Sequence, residues 1–106
     1  MGETQENLYD FQRYESLLNS PIRLAIISFL AGVGEADFTR LKKETGTTDG
    51  NLNRHLAKLE ETGFIEVIKQ FEGKKPVTIQ RLTVMGRTAL TQYVANLEKL
   101  ISNVKE

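Results

Sequence analysis

The sequence predicts an α+β fold, mostly helical, with one small β-hairpin. Three observations carry that expectation: two helix-forming segments meet across Gly46, two β-rich segments enclose EGKKP at 72–76, and an amphipathic stretch runs from Thr83 nearly to the last residue. Each rests on apolar periodicity and on where glycine, proline and capping residues fall.

The elements follow in chain order. Leu8, Phe11, Tyr14 and Leu18 recur at helical spacing and predict a first helix ending near Asn19. Ser20 then Pro21 reads as an N-cap with proline at the first helical position, and Ile22, Ala25, Ile26, Phe29 and Leu30 form a wide apolar face before Gly32 and Gly34 stop the helix. Asp37 is placed to cap a short helix with Phe38, Leu41 and Thr45 facing inward, and Gly46 supplies the left-handed residue that ends it. The next helix starts almost at once, at Thr48. Its Leu52, Leu56 and Leu59 form a buried stripe, and Gly63 ends it before Phe64 and Ile65 return to the core. A short helix, a glycine turn and a second helix, about 37–62, is helix-turn-helix geometry, shared by tri-helical cores that never meet DNA.

FIEVIKQF and VTIQRLT, rich in β-branched and aromatic residues, flank a turn and predict a hairpin over about 64–83 with Lys74 and Lys75 at its tip. A long helix is expected over about 84–104, with Thr83 as its N-cap. Its apolar positions are Ala89, Leu90, Tyr93, Val94, Leu97, Leu100, Ile101 and Val104, with Leu90, Leu97 and Val104 at heptad spacing. The first turns can pack on the core, and the rest has no core left to cover. A partner helix is the economical solution, and the amino-terminal helix with Leu8 and Phe11 can share the seam.

Composition narrows the function classes. A chain of 106 residues has room for one compact core, so a single domain over 1–106 is expected and a multidomain enzyme is excluded. There is no cysteine, which removes thiolate metal sites, disulfides and thiol sensing. The apolar run at 22–33 is too short to span a bilayer and nothing resembles a secretory signal, so a cytoplasmic location with no membrane partner is expected. ENLYDFQ at 6–12 looks like a protease-cleavage tag, but Asp10 interrupts that pattern and Phe11 fits the helical spacing. Net charge is zero, yet residues 1–37 hold two basic against six acidic residues and residues 38–87 hold ten against six, or −4 and +4. The basic half coincides with the two helices and the hairpin.

The helix after Gly46 presents Thr48, Asp49, Asn51, Asn53, Arg54, Ala57 and Lys58 on or near the side away from its leucines. Short polar residues followed by two bases suit base edges and phosphates in a major groove; a solvated helix face carries the same composition. Asp49 repels phosphate, so its expected role is to complement the positive helix terminus or to accept a hydrogen bond from cytosine. His55 is the only histidine, at the edge of the leucine stripe. One imidazole without a second histidine or a cysteine is no metal site by ligand count, so His55 reads as a packing residue with one ring nitrogen hydrogen-bonded. No nucleophile–base pair and no phosphate loop are visible, so no enzyme and no cofactor are implied.

Four blocks, SPIRLAIISFL at 20–30, FTRLKKETG at 38–46, NLNRHLAKLEETGFIE at 51–66 and RLTVMGRTAL at 81–90, cover most of the chain between 20 and 90. Together they resemble the winged helix-turn-helix of MarR-type and ArsR-type transcriptional regulators. The resemblance implies a homodimer bound to double-stranded DNA, with the Asn53 and Arg54 face in the major groove and Lys69, Lys74 and Lys75 of the wing on phosphate or in the minor groove. Lys43, with Arg40 and Lys42, is a lesser phosphate candidate. It also implies a dimer seam of Leu90, Tyr93, Val94, Leu97, Leu100, Ile101 and Val104, with a dimer cleft able to hold a small-molecule effector. Two positions depart from the pattern: LTVMGR lacks a Pro or Glu before its glycine, and Gln80 stands where an aromatic is frequent, leaving the wing less firmly packed. The competing class is a winged-helix protein-interaction module, which suits a neutral chain.

Overall fold

The computed structural model describes residues 16–105. Along them run α1 (Pro21–Val33), β1 (Glu35–Asp37), α2 (Phe38–Thr45), α3 (Asp49–Thr62), β2 (Ile65–Glu72), β3 (Lys75–Leu82) and α4 (Val84–Lys105). The expected first helix lies largely outside this range, as do Leu8, Phe11 and Tyr14. Residues 16–18 are helical, and Leu17 and Leu18 are buried in the core.

Local chemistry sets the helix ends. The Ser20 hydroxyl accepts the Arg23 N–H, the Asp37 carboxylate accepts that of Arg40, and the Thr48 hydroxyl accepts that of Asn51. Gly46 (φ 65°) and Gly63 (φ 91°) close α2 and α3 in the left-handed region. The expected stop at Gly32 moves: Gly32 lies inside α1, and Gly34 (φ 87°) is the C-cap.

The sheet has three antiparallel strands in the order β1-β3-β2. β1 is absent from the sequence-based expectation, since three residues carry no readable period. It pairs Glu35, Ala36 and Asp37 with Arg81, Gln80 and Ile79. β2 and β3 pair from Ile65↔Leu82 to Glu72↔Lys75, so the turn is Gly73–Lys74 and Lys75 already belongs to the ladder. Pro76 lies beyond the end of β1, where its missing N–H has no neighbouring strand to serve.

Ile26, Ile27 and Leu30 of α1, Leu41 of α2, Leu52, Leu56 and Leu59 of α3, and Phe64 and Ile65 form the core, with Ala89 of α4 against it. Gln80 is buried among them, so the expectation of a loosened wing does not hold at this position.

The start of α4 is fastened to the end of α3. The Thr83 hydroxyl donates towards the Gly63 and Phe64 carbonyl oxygens (2.6 and 3.0 Å) and accepts the Gly86 N–H (3.0 Å), while the Thr83 N–H donates to the Phe64 oxygen (3.1 Å). A Cβ on Gly86 would run into that same oxygen, so only glycine fits. Gly86→Ala is expected to lower stability by about 1–3 kcal/mol through overpacking, measured by urea unfolding; an unchanged midpoint would mean that α4 does not seat against Phe64.

Candidate nucleic-acid interface

At 100° per residue the α3 surface opposite Leu52, Leu56 and Leu59 comprises Gly50, Arg54, Ala57, Lys58 and Glu61, all exposed. Gly50 and Ala57 leave the surface low beside Arg54, while Lys58 and Glu61 stand out further along the same face. Asn53 is exposed too, but on the flank towards the hairpin, where it borders a cavity with Ala57 and Glu60.

Several polar residues of the sequence-based set hold structure instead of standing free. Thr48 is the N-cap of α3. Asn51 is half-buried; its Nδ2 donates to Thr47 Oγ1 (2.7 Å) and its Oδ1 accepts from Arg54 Nη2, which aims the guanidinium. Asp49, expected at the helix terminus or on a base, lies in the first turn and pairs with Lys42 Nζ (2.6 Å). Both of those side chains are exposed, so the pair adds little stability, but it cancels a carboxylate that would repel phosphate.

The cations sort themselves by partner. Arg40, Lys42 and Arg81 form salt bridges, Arg81 between Glu35 and Glu66 on the outer face of the sheet. Among the described residues Lys43, Arg54, Lys58, Lys69, Lys74 and Lys75 form none. These six lie on α2, α3 and the hairpin; Arg23 of α1 and Arg87 and Lys99 of α4 form no salt bridge either. Lys74 is in the turn, and Lys69 and Lys75 flank the cavity between α3 and the sheet.

On α4, Ala89 is buried and Leu90 and Tyr93 pack on the core of their own chain, because the first turns of the helix lie across α1. Of the seam expected from Leu90 onwards, Leu90 and Tyr93 are engaged with their own chain, and the exposed apolar stripe starts at Val94. Val94, Leu97, Leu100, Ile101 and Val104 are exposed, from 39 % at Leu97 to 85 % at Val104. Away from α4, Phe71 on the β2 arm of the hairpin is 71 % exposed, with no periodic signal in the sequence to reveal it.

The family model for the winged helix DNA-binding domain matches residues 22–101. The chain belongs to that family. The uncharacterised protein MJ0432 of Methanocaldococcus jannaschii is 37 % identical over 89 residues, spanning 84 % of this chain and 97 % of that one. Among solved structures, a transcriptional regulator homologue from Pyrococcus horikoshii OT3 superposes with a TM-score of 0.82 at 27 % identity, covering 95 % of this chain and 99 % of the other. The transcriptional repressor BigR from Xylella fastidiosa shares the fold, with a TM-score of 0.70 at 22 % identity over 89 % of each chain. In winged-helix terms α2 and α3 are the helix-turn-helix and β2–β3 the wing.

His55 lies on the flank of α3 nearest α1, where its Nδ1 is 3.2 Å from Arg23 Nη1. Arginine can only donate, so Nδ1 accepts and the ring proton sits on Nε2. Burial, then the charges of Arg23 and Arg54, lower the His55 pKa below its usual 6.5. The neutral ring is the folded form, which fits the expected packing role. Because the folded pKa lies below the unfolded one, the unfolded chain binds a proton first as pH falls, and stability is lost from about pH 6.5 down to the folded pKa. His55→Gln is expected to flatten the stability–pH curve in that window, read from urea midpoints between pH 5 and 7.5; an unaltered slope would show that another group titrates.

Proposed function

We propose that this winged-helix protein is a transcriptional regulator that binds a specific double-stranded DNA site as a homodimer. The observation that supports the reading most is the coincidence of two independent properties on one surface. The α3 face opposite the core is low beside Arg54, and six of the cations without carboxylate partners lie on that helix, its neighbour α2 and the wing. In such a surface the helix reads base edges while wing lysines neutralise phosphates and release counterions. Asn53, on the wing-side flank, reaches a base or sugar at the groove edge. Asn51 and Asp49 act indirectly, the first by orienting Arg54 and the second by pairing with Lys42.

Dimerisation follows from size. One α3 contacts few base pairs, whereas two copies joined through α4 engage half-sites about one helical turn apart, with effective concentration multiplying their affinities. The exposed stripe Val94, Leu97, Leu100, Ile101 and Val104 is the surface available for that joining.

On a duplex selected from random sequence, Arg54→Ala is expected to cost about 1–3 kcal/mol and to relax preference at one base pair. Lys74→Ala with Lys75→Ala should instead weaken all duplexes alike and make the salt dependence shallower by up to about 0.9 for each phosphate no longer neutralised. Electrophoretic shifts across a salt series separate the two, and equal affinities for wild type and Arg54→Ala would remove the reading from α3.

Leu97→Glu, at the middle of the exposed stripe, is expected to yield a folded monomer with unchanged helical signal and much weaker DNA binding. Sedimentation equilibrium decides it: a wild-type monomer at micromolar concentration, or a variant that stays dimeric, contradicts the assignment of α4.

A further inference from the structure

Side chains along β2 and β3 alternate between the two faces of the sheet. Ile65, Val67, Lys69 and Phe71 share one face, and Gln80, Thr78 and Pro76 stand opposite the last three. Ile65 and Gln80 are buried, so this is the face turned towards the core and α3, away from the Glu35, Arg81 and Glu66 salt bridges. Phe71 and Pro76 continue it outwards. Phe71 is six residues along β2 from Ile65, roughly 20 Å beyond the core at ~3.3 Å per residue. At 71 % exposure its ring is left uncovered by its own chain. Residues directly opposite in a ladder have Cβ atoms about 5 Å apart, so the phenyl and pyrrolidine rings form one apolar tip.

Cations frame that tip. Between 69 and 76 Lys69, Lys74 and Lys75 stand against Glu72 alone, and none of the three lysines is in a salt bridge. A lone exposed apolar residue is ordinary on a protein surface, but here an aromatic and a proline are paired at the end of a narrow basic arm. A stable protein contact buries about 800 Å² on each side, more than the tip of a two-stranded arm presents. The minor groove of DNA is about 6 Å wide and admits such an arm, with phosphates for the lysines at its walls and base faces for an apolar ring. We propose that Phe71, backed by Pro76, is a wedge that the wing inserts from the minor groove between two base pairs, kinking the duplex beside the stretch that α3 reads. The inference rests on the DNA-binding reading and adds a means of sequence choice that uses no base-edge hydrogen bond. Unstacking costs least at the flexible pyrimidine–purine steps, TA and CA/TG, so a site with such a step under the wing is favoured.

The test uses the full chain and a duplex selected from random sequence, with a dye at each end. Wild type is expected to shorten the dye-to-dye distance read by energy transfer, Phe71→Leu to keep part of the bend, and Phe71→Ala to leave the duplex as straight as when free. The affinity of Phe71→Ala should fall about fivefold or more, the effect of one lost stacked aromatic, with an unaltered salt slope. Its thermal midpoint and sedimentation should match wild type, because an exposed side chain supports no core. The chain has no tryptophan, so Phe71→Trp places a sole indole at the wedge. Stacked on bases, its emission should be quenched on binding and shielded from acrylamide. With DNA binding intact, the proposal is overturned by equal bending and affinity of wild type and Phe71→Ala, by an indole that stays bright and open to acrylamide in the complex, or by a Phe71→Ala effect seen in sedimentation alone, which assigns the ring to a second copy. Failure to bind any duplex overturns the DNA-binding reading as well, so the two failures are told apart.

Discussion

The contact on which the rest depends is the seat of Thr83 and Gly86 against the carbonyl groups of Gly63 and Phe64. It joins three things at one point: the end of α3, the start of the hairpin and the start of α4. Gly63 needs its left-handed φ to turn the chain out of α3, and Gly86 needs its bare Cα to let the long helix come down onto the Phe64 oxygen. With these in place the direction of α4 is referred directly to the direction of α3. In the proposed homodimer, joining two copies through α4 would therefore also set the spacing and angle of the two α3 helices, a geometric requirement for half-sites on one face of a duplex.

Electrostatics then selects a side. The chain is neutral overall, but its outer sheet surface neutralises itself through Glu35, Arg81 and Glu66, and α2 binds Asp49 through Lys42. Six of the cations that remain uncompensated lie on α2, on α3 and on the wing. Placement outweighs net charge here, because a polyanion responds to the local field within a Debye length of about 8–10 Å. His55 and Arg23 meet on the opposite flank of α3, where a neutral ring and a half-buried guanidinium brace the helix against α1.

Much of this was legible in the sequence where the determining chemistry is local. Ser20, Asp37, Thr48 and Thr83 cap within three residues of themselves, Gly46 and Gly63 end helices by their own φ, and the Leu52, Leu56, Leu59 stripe states its own face. Legibility failed where position depends on distant chain. β1 is too short to show a period and exists because β3 offers it an edge. Gln80 reads as a strand residue of a weakened wing and lies instead at the centre, placed by register with Ala36 and Val67. Of the candidate site, Arg54, Lys58 and the wing lysines are exposed and form no salt bridge. Asn51 and Asp49 are engaged with Thr47, Arg54 and Lys42, partners visible only once α2 and α3 are set side by side. The expected packing of the first turns of α4 on the core holds at Ala89, Leu90 and Tyr93, but spacing alone did not separate Leu90 and Tyr93 from the exposed stripe that follows.

If α3 and the wing form one surface that meets DNA, amide chemical-shift mapping of the full chain on addition of a selected duplex will show it. The largest shifts are expected at Gly50, Arg54, Ala57 and Lys58 and at Gly73 to Lys75, with Glu35, Glu66 and the residues after Leu97 little moved at constant dimer population. Shifts centred on the outer sheet face around Arg81, with α3 unmoved, would contradict it.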